Sequence, residues 1–271
     1  MKLSCTSTMV PGETFTEKAE KLKKWGYDAM GVFVDYEDWN EELRQEILHL
    51  EENTGIHVGE FVLGGPIYGH LMSEPGHPQR EACRNMYREA AAFCAELGGA
   101  ITELEYTLGP QDPLPLFDPY AKMSAEQEAE FVSVFQKIAE PVEGTDSYVL
   151  LEPCNRYETP VLNNAADCLA VVQKTGRRNT GLLLDMFHLS IEEADIPAAI
   201  LACGAYTKYV HLGDNNRLMP GKGSTDFAAI VKALKQVGFD GIMSMECAPG
   251  SDPETSIPEA AAYMKKIIEG V

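Results

Sequence analysis

Tyr148-Val149-Leu150-Leu151-Glu152-Pro153 sets four residues suited to a buried strand before a carboxylate and a proline turn. The same figure recurs downstream as Gly181-Leu182-Leu183-Leu184-Asp185, Tyr209-Val210-His211-Leu212 and Ile242-Met243-Ser244-Met245-Glu246. Short, continuous apolar runs are the mark of strands covered on both faces, as in parallel sheets. Working outward from these four, further runs predict strands over residues 2–8, 29–34, 57–63 and 101–106. Together with 148–152, 181–185, 209–212 and 242–246 they make eight.

Between the strands lie amphipathic stretches that predict helices over 14–25, 40–53, 78–97, 124–142, 164–175, 196–202, 226–237 and 253–269. Glycines stand at several helix ends, as at Gly26, Gly98, Gly176 and Gly238. Strict β-α alternation implies parallel strands joined by right-handed crossovers. No Gly-x-Gly-x-x-Gly follows the first strand, and eight units fill the 271 residues, so the expectation is a closed (β/α)8 TIM barrel rather than an open sheet. No low-complexity linker divides the chain, so residues 1–271 are expected to form a single domain. The Pro- and Gly-rich loops 64–77 and 107–122 follow strands 3 and 4 and would overhang the C-terminal face of the barrel.

Composition narrows the partners. Against 42 acidic residues stand 22 Lys and Arg, a net charge of −20 without a basic cluster, which argues against nucleic acid and anionic membranes. No apolar run is long enough to span a bilayer and no signal-like stretch opens the chain, so the expected location is the cytoplasm. The 7 cysteines follow no C-x-x-C spacing and read as reduced thiols.

Glu152, Asp185, His211 and Glu246 fall 33, 26 and 35 residues apart, at equivalent places on strands 5 to 8. Any one of them alone reads equally well as a helix cap or a partner for a rim lysine. In register, three carboxylates and an imidazole would repel one another unless a cation sat among them, which favours a metal site. Oxygen-dominated ligation with one His suits Mn2+, Co2+ or Mg2+. Beyond the strand ends, Glu158, His188 and Arg217 would project over the cation, either as readers of a polyol or as rim ion pairs.

The segments Leu-Glu-Pro-Cys-Asn-Arg-Tyr-Glu-Thr (151–159), Leu-Asp-Met-Phe-His-Leu-Ser-Ile-Glu-Glu (184–193), His-Leu-Gly-Asp-Asn-Asn-Arg-Leu-Met-Pro-Gly-Lys-Gly (211–223) and Gly-Ile-Met-Ser-Met-Glu (241–246) resemble the sugar isomerase/epimerase group with a xylose-isomerase-like barrel. Within it they are most similar to the ketose 3-epimerases of the D-tagatose/D-psicose type. The resemblance is concentrated between residues 148 and 247. It implies an isomerase of carbohydrate metabolism in which Glu152, Asp185, His211 and Glu246 hold one divalent metal, with Mn2+ expected. It also implies that Glu152 and Glu246 exchange protons with the substrate, while Glu158, His188 and Arg217 hydrogen-bond sugar oxygens. A homodimer or homotetramer is expected. The chain departs from many relatives at the end of strand 2 and in the strand 4 loop, which shape the distal sugar pocket.

The chemistry follows from the residues as well. A cation bridging a ketone oxygen and its neighbouring hydroxyl stabilises the cis-enediolate left when the intervening carbon loses its proton. Inverting that carbon needs bases on both faces, and strands 5 and 8 lie far enough around the ring to flank a substrate. The expected reaction is therefore C3 epimerisation of a ketose. The same residues also suit an aldose-ketose or hydroxypyruvate isomerase, a lyase or dehydratase on an oxo-sugar, and a non-catalytic sugar-binding barrel. A zinc-dependent apurinic-site endonuclease would need a His-rich site and a basic groove, against 6 His and −20 here.

Four smaller features are read more plainly. Residues 220–223 (Pro-Gly-Lys-Gly) read as a turn rather than a phosphate cradle, Cys154 as a packed thiol, and His70 and His77 as loop residues apart from the metal. Trp39 would pack against a sugar or a neighbouring subunit.

Overall fold

The alternation appears in space as a barrel. The computed structural model describes residues 1–110 and 115–271, so residues 111–114 of the expected 107–122 loop lie outside the described residues. The elements run β1 (Lys2–Thr6), α1 (Phe15–Lys24), β2 (Ala29–Asp35), α2 (Glu41–Leu48), α3 (Leu50–Thr54), β3 (His57–Gly64), α4 (Arg80–Leu97), β4 (Ile101–Leu104) and α5 (Ala125–Ile138). They continue as β5 (Tyr148–Leu151), α6 (Ala165–Thr175), β6 (Thr180–Asp185), α7 (Met186–Glu192), α8 (Ile196–Cys203), β7 (Thr207–Leu212), α9 (Phe227–Gln236), β8 (Ile242–Met245) and α10 (Pro253–Gly270). All eight strands are parallel and pair in chain order, with β1 closing against β8 from Lys2–Ile242 to Cys5–Met245. Among the described residues no helix is long and apolar enough to cross a membrane.

Local chemistry sets the boundaries. Thr14 and Ser124 open α1 and α5 with reciprocal capping boxes to Glu17 and Gln127, and Gly176 closes α6 in the left-handed region at φ 61°. Two expected helices are shorter than their patterns. The 40–53 helix breaks at His49, whose ring Nδ1 takes up the Gln45 carbonyl at 2.9 Å. The 124–142 helix stops at Ile138 and gives way to a 3-10 turn containing Pro141, which has no N–H to continue the ladder. Helix α7 was not anticipated, because its two turns follow directly on the apolar run of β6; Asp185 caps it by accepting from Phe187 N at 2.7 Å.

The apolar interior has two parts. A large outer layer lies between strands and helices and contains Leu22, Ile47, Phe61, Phe131, Leu184 and Met243. A small separate cluster of Ile101, Leu150, Leu183 and Tyr209 plugs the barrel itself. Two residues further along the same four strands stand Glu103, Glu152, Asp185 and His211, all buried. The period of two along a strand therefore floors a polar upper layer with an apolar lower one.

The loop after β7 is organised by Asp214, which is fully buried. Its carboxylate accepts from the backbone N–H groups of Asn215 (2.9 Å), Gly221 (3.0 Å), Gly223 (2.8 Å) and Thr225 (3.0 Å). A Cβ on Gly223 would lie 2.4 Å from Asp214 Oδ1, so glycine is required there by space. The 220–223 segment is thus a turn, as expected, and two of its N–H groups already serve an internal carboxylate. The same loop holds Arg217 in the left-handed region at φ 59°, its N–H on the Asp214 carbonyl (2.8 Å) and its carbonyl on Ala248 N (2.8 Å).

Two outcomes follow. Replacing Leu183 by Ala should hollow the plug and cost about 2–5 kcal/mol, read as an earlier urea midpoint. Replacing Asp214 by Asn should cost about 1.5–3 kcal/mol through weakened charge-assisted bonds. Although burial alone would raise the Asp214 carboxyl, the N–H and hydroxyl donors around it hold it below 3.8. Its contribution is therefore complete above that pH and fades as the pH falls through the lowered folded value, so wild type and Asp214→Asn should converge in acid.

Candidate active site

The strand ends bring three of the four expected metal residues into one buried group. Ligand atoms of Glu152, Asp185 and His211 lie within 4.8 Å of one another. Asp185 and His211 are level on β6 and β7, and both are fully buried. Glu246 stands two residues beyond Ser244, the β8 residue level with His211, and is the most open of the four with its side chain 23% exposed. Ladder bonds running past the last strand residues hold both glutamate backbones: Glu152 N donates to Leu104 O at 3.0 Å, and Glu246 N to Leu212 O at 3.2 Å.

His211 is the hub. Its Nδ1 lies 3.7 Å from Glu152 Oε1 and 3.2 Å from Glu246 Oε2. Its Nε2 meets both carboxylate oxygens of Glu60, on β3, at 3.0 and 3.2 Å. Tyr209 packs edge-on against the imidazole, with ring centroids 5.7 Å apart. Glu152 Oε1 and His211 Nδ1 are both buried without a hydrogen-bond partner. A buried carboxylate oxygen and a buried imidazole nitrogen, both without hydrogen-bond partners and beside two more carboxylates, are a donor set that suits a divalent cation.

The surrounding charges separate the two glutamates. Burial pushes the Glu152 carboxyl up, partly offset by the nearby His211 and the charge of His188. Glu246 feels burial too, but His211 and then Arg217 hold it well below the usual carboxylate range. For His211, burial is outweighed by Glu60 and Glu246, which raise it well above the ordinary imidazole value.

Of the three residues expected above the cation, His188 sits on α7 rather than in a loop. Its Nε2 is 3.7 Å from Asp185 Oδ2 and 4.0 Å from Glu152 Oε1. Its Nδ1 accepts from the Asn155 side-chain amide at 2.7 Å, and that amide is oriented because its own oxygen accepts from Tyr157 N at 2.9 Å. The neutral ring therefore carries its proton on Nε2, pointing toward Asp185 and Glu152. Glu158 accepts from the same Asn155 amide at 2.8 Å, and Arg156 ties this loop to α7 through a fork to Glu192 (2.7 and 2.9 Å). Arg217 reaches inward over the Phe187 ring, pairing with Asp185 and with Glu246 (2.5 Å). It thus shares two of the carboxylates assigned to a metal.

Several functional groups escaped the sequence reading. Glu60 and Glu103 are buried inside β3 and β4, and Asn155 is buried in the loop after β5. The signal was available for the first two: a carboxylate inside an apolar parallel strand is unusual wherever it sits, not only at a strand end. The Tyr68 hydroxyl is within donating distance of both Glu103 (3.1 Å) and Glu105 (3.2 Å). Burial, then the charge of Glu152, raises Glu103 well above its ordinary value and Glu105 to about 7. Beside them opens a cleft of about 570 Å³ lined by Tyr68, Glu105, Phe117, Tyr157 and Glu158.

The smaller features resolve simply. Trp39, half-buried, packs against Phe61 and Phe93, and its Nε1 donates to Glu89 at 2.8 Å. His70 and His77 stack on each other at 4.5 Å. The cysteines are all free, and Cys154 is buried within reach of Glu152 and His188.

The family model described as xylose isomerase-like TIM barrel matches residues 19–267. The L-ribulose 3-epimerase of Mesorhizobium japonicum is 36% identical over 181 residues, 66% of this chain, and the match spans 58% of that relative's length. The solved structures of an L-ribulose 3-epimerase and of the D-psicose 3-epimerase with D-tagatose from Clostridium cellulolyticum H10 each superpose with a TM-score of 0.83. They are 24% and 19% identical, cover 99% of this chain and 95% and 99% of their own, and at that identity bear on the fold alone. With its closed barrel and a family match running from α1 to α10, the chain belongs to the xylose isomerase-like TIM barrel family.

Proposed function

We propose that this chain is a divalent-metal-dependent ketose 3-epimerase whose single barrel domain spans residues 1–271. The observation that carries the reading is the pair of carboxylates, Glu152 and Glu246, that both approach the unpartnered Nδ1 of His211, at 3.7 and 3.2 Å. The 3-epimerase relative supports the reaction class. Glu152, Asp185, His211 and Glu246 are the residues that would hold the cation, with Mn2+ expected from an oxygen-rich set containing one imidazole. Bound there, a divalent cation would supply Lewis-acid stabilisation of the negative charge that develops on the ketone oxygen.

The chain's own groups do the rest. The C3 proton, acidified by the adjacent ketone, is taken by one glutamate and replaced on the opposite face by the other. The two environments differ, with Glu246 beside Arg217 and Glu152 buried near His188, and either glutamate can begin as the base while the other delivers the proton. The reverse reaction exchanges the roles. His188 offers Nε2–H to a substrate oxygen, Glu158 accepts from a sugar hydroxyl, and Arg217 donates to one at the mouth. The cleft by Tyr68 and Glu105 would take the distal end of the sugar.

Metal-stripped protein should be inactive on a panel of ketoses and ketose phosphates, and Mn2+, Co2+ or Mg2+ should restore turnover. Run in D2O, the reaction should place deuterium at C3 of the recovered sugar by NMR; label at C1 would instead establish an aldose-ketose isomerase. Glu152→Gln and Glu246→Gln should each lose about 10²–10⁴-fold in turnover with metal still bound. Substantial epimerisation retained by both variants would remove the two-base assignment.

A further inference from the structure

We infer that Glu60 is a positioning residue that presents His211 to the metal: it holds the imidazole in the Nε2–H tautomer and so aims the Nδ1 lone pair at Glu152 and Glu246. The inference rests on the metal reading given above, but concerns a residue on the far side of the imidazole. Glu60 is fully buried in the interior of β3, 151 residues from His211 in sequence. Both its oxygens lie within hydrogen-bond reach of Nε2, at 3.0 and 3.2 Å. A carboxylate only accepts, so once the ring has given up the second proton that its acidic neighbours favour in the metal-free protein, the remaining proton belongs on Nε2 and the Nδ1 lone pair is free for a cation. Nδ1 is indeed the nitrogen with no hydrogen-bond partner, 3.2 Å from Glu246 and 3.7 Å from Glu152. A carboxylate behind a ligating histidine fixes ring orientation and raises its basicity.

The neighbouring strand is built around this carboxylate. The register between β2 and β3 shifts between Met30 and Gly31, bringing Gly31 level with Glu60. A Cβ on Gly31 would lie 2.7 Å from Glu60 Oε2, so the missing side chain is what makes room for the carboxylate. Tyr209, edge-on to the imidazole, limits its rotation from below. Glu60, Glu103 and His211 also bring ligand atoms within 4.8 Å of one another and so resemble a second cation site. An Nε2 that donates its proton to Glu60, however, has no lone pair left for a cation on that side.

The test compares wild type with Glu60→Ala, Glu60→Gln, Gly31→Ala and the Glu60→Ala/Gly31→Ala double variant. Mn2+ binding is titrated by calorimetry, folding is checked by circular dichroism, and the His211 tautomer is read by 15N NMR on the metal-free protein at alkaline pH, where the imidazole is neutral. Wild type should bind one equivalent and show a single Nε2–H form. Glu60→Ala should bind about 10–100-fold more weakly and lose that tautomer preference, while Glu60→Gln, whose amide oxygen still accepts, should recover much of both. Gly31→Ala should weaken binding in wild type yet add nothing in the Glu60→Ala background, where the crowded carboxylate is gone. Unchanged affinity in folded Glu60→Ala overturns the inference, as does a second equivalent of Mn2+ lost with Glu60. A wild type that binds no metal overturns the metal reading itself. The tautomer then judges Glu60 separately: an Nε2–H form that survives Glu60→Ala overturns its role.

Discussion

Carboxylates can be buried together inside a barrel only where protons or positive charge are supplied close by. In this chain the upper layer of the barrel interior gathers Glu60, Glu103, Glu152 and Asp185, with Glu246 at its edge. Against them, among the described residues, stand His211, His188 and Arg217. His211 carries most of the burden, because its two nitrogens face Glu60 on one side and Glu152 with Glu246 on the other. The rest of the site is arranged to keep that imidazole level with Asp185 and above the Tyr209 ring.

The loops obey the same electrostatic rule at longer range. Asp214, buried at the end of β7, is satisfied by four backbone N–H groups instead of a side-chain cation. That arrangement closes the loop tightly enough to hold Arg217 in a left-handed conformation, from which its guanidinium reaches Asp185 and Glu246. On the opposite side, Asn155 sets the tautomer of His188 while also holding Glu158, and the Arg156–Glu192 fork fastens their loop to α7. Each polar group above the barrel is thus oriented by a second group whose own orientation is determined. Such preorganisation would let the proposed proton transfer proceed without first rearranging the site.

In the proposed reaction, the unequal surroundings of Glu152 and Glu246 would give the two faces of a substrate different chemistry. One carboxyl is buried beside acidic neighbours, while the other is open at the rim beside a guanidinium. A single proton held between the two would let a reversible inversion run from either side with the same residues.

The sequence by itself determined the eight-unit alternation, the position of nearly every strand to within about two residues, and the strand-end series Glu152, Asp185, His211 and Glu246. These are properties of local periodicity, capping and spacing, and they persist whatever the rest of the chain does. Only the tertiary structure decided which nitrogen of His211 faces the carboxylates, that Glu60 stands behind it, that Asn155 orients His188, and that Gly31 leaves the space Glu60 occupies. Those contacts join β3 to β7, the β5 loop to α7, and β2 to β3. Their existence depends on how strand stagger and the register shift at Met30/Gly31 close the sheet. Glu60 and Glu103 were visible as carboxylates within apolar strands, but closing the barrel is what turned them inward beside His211.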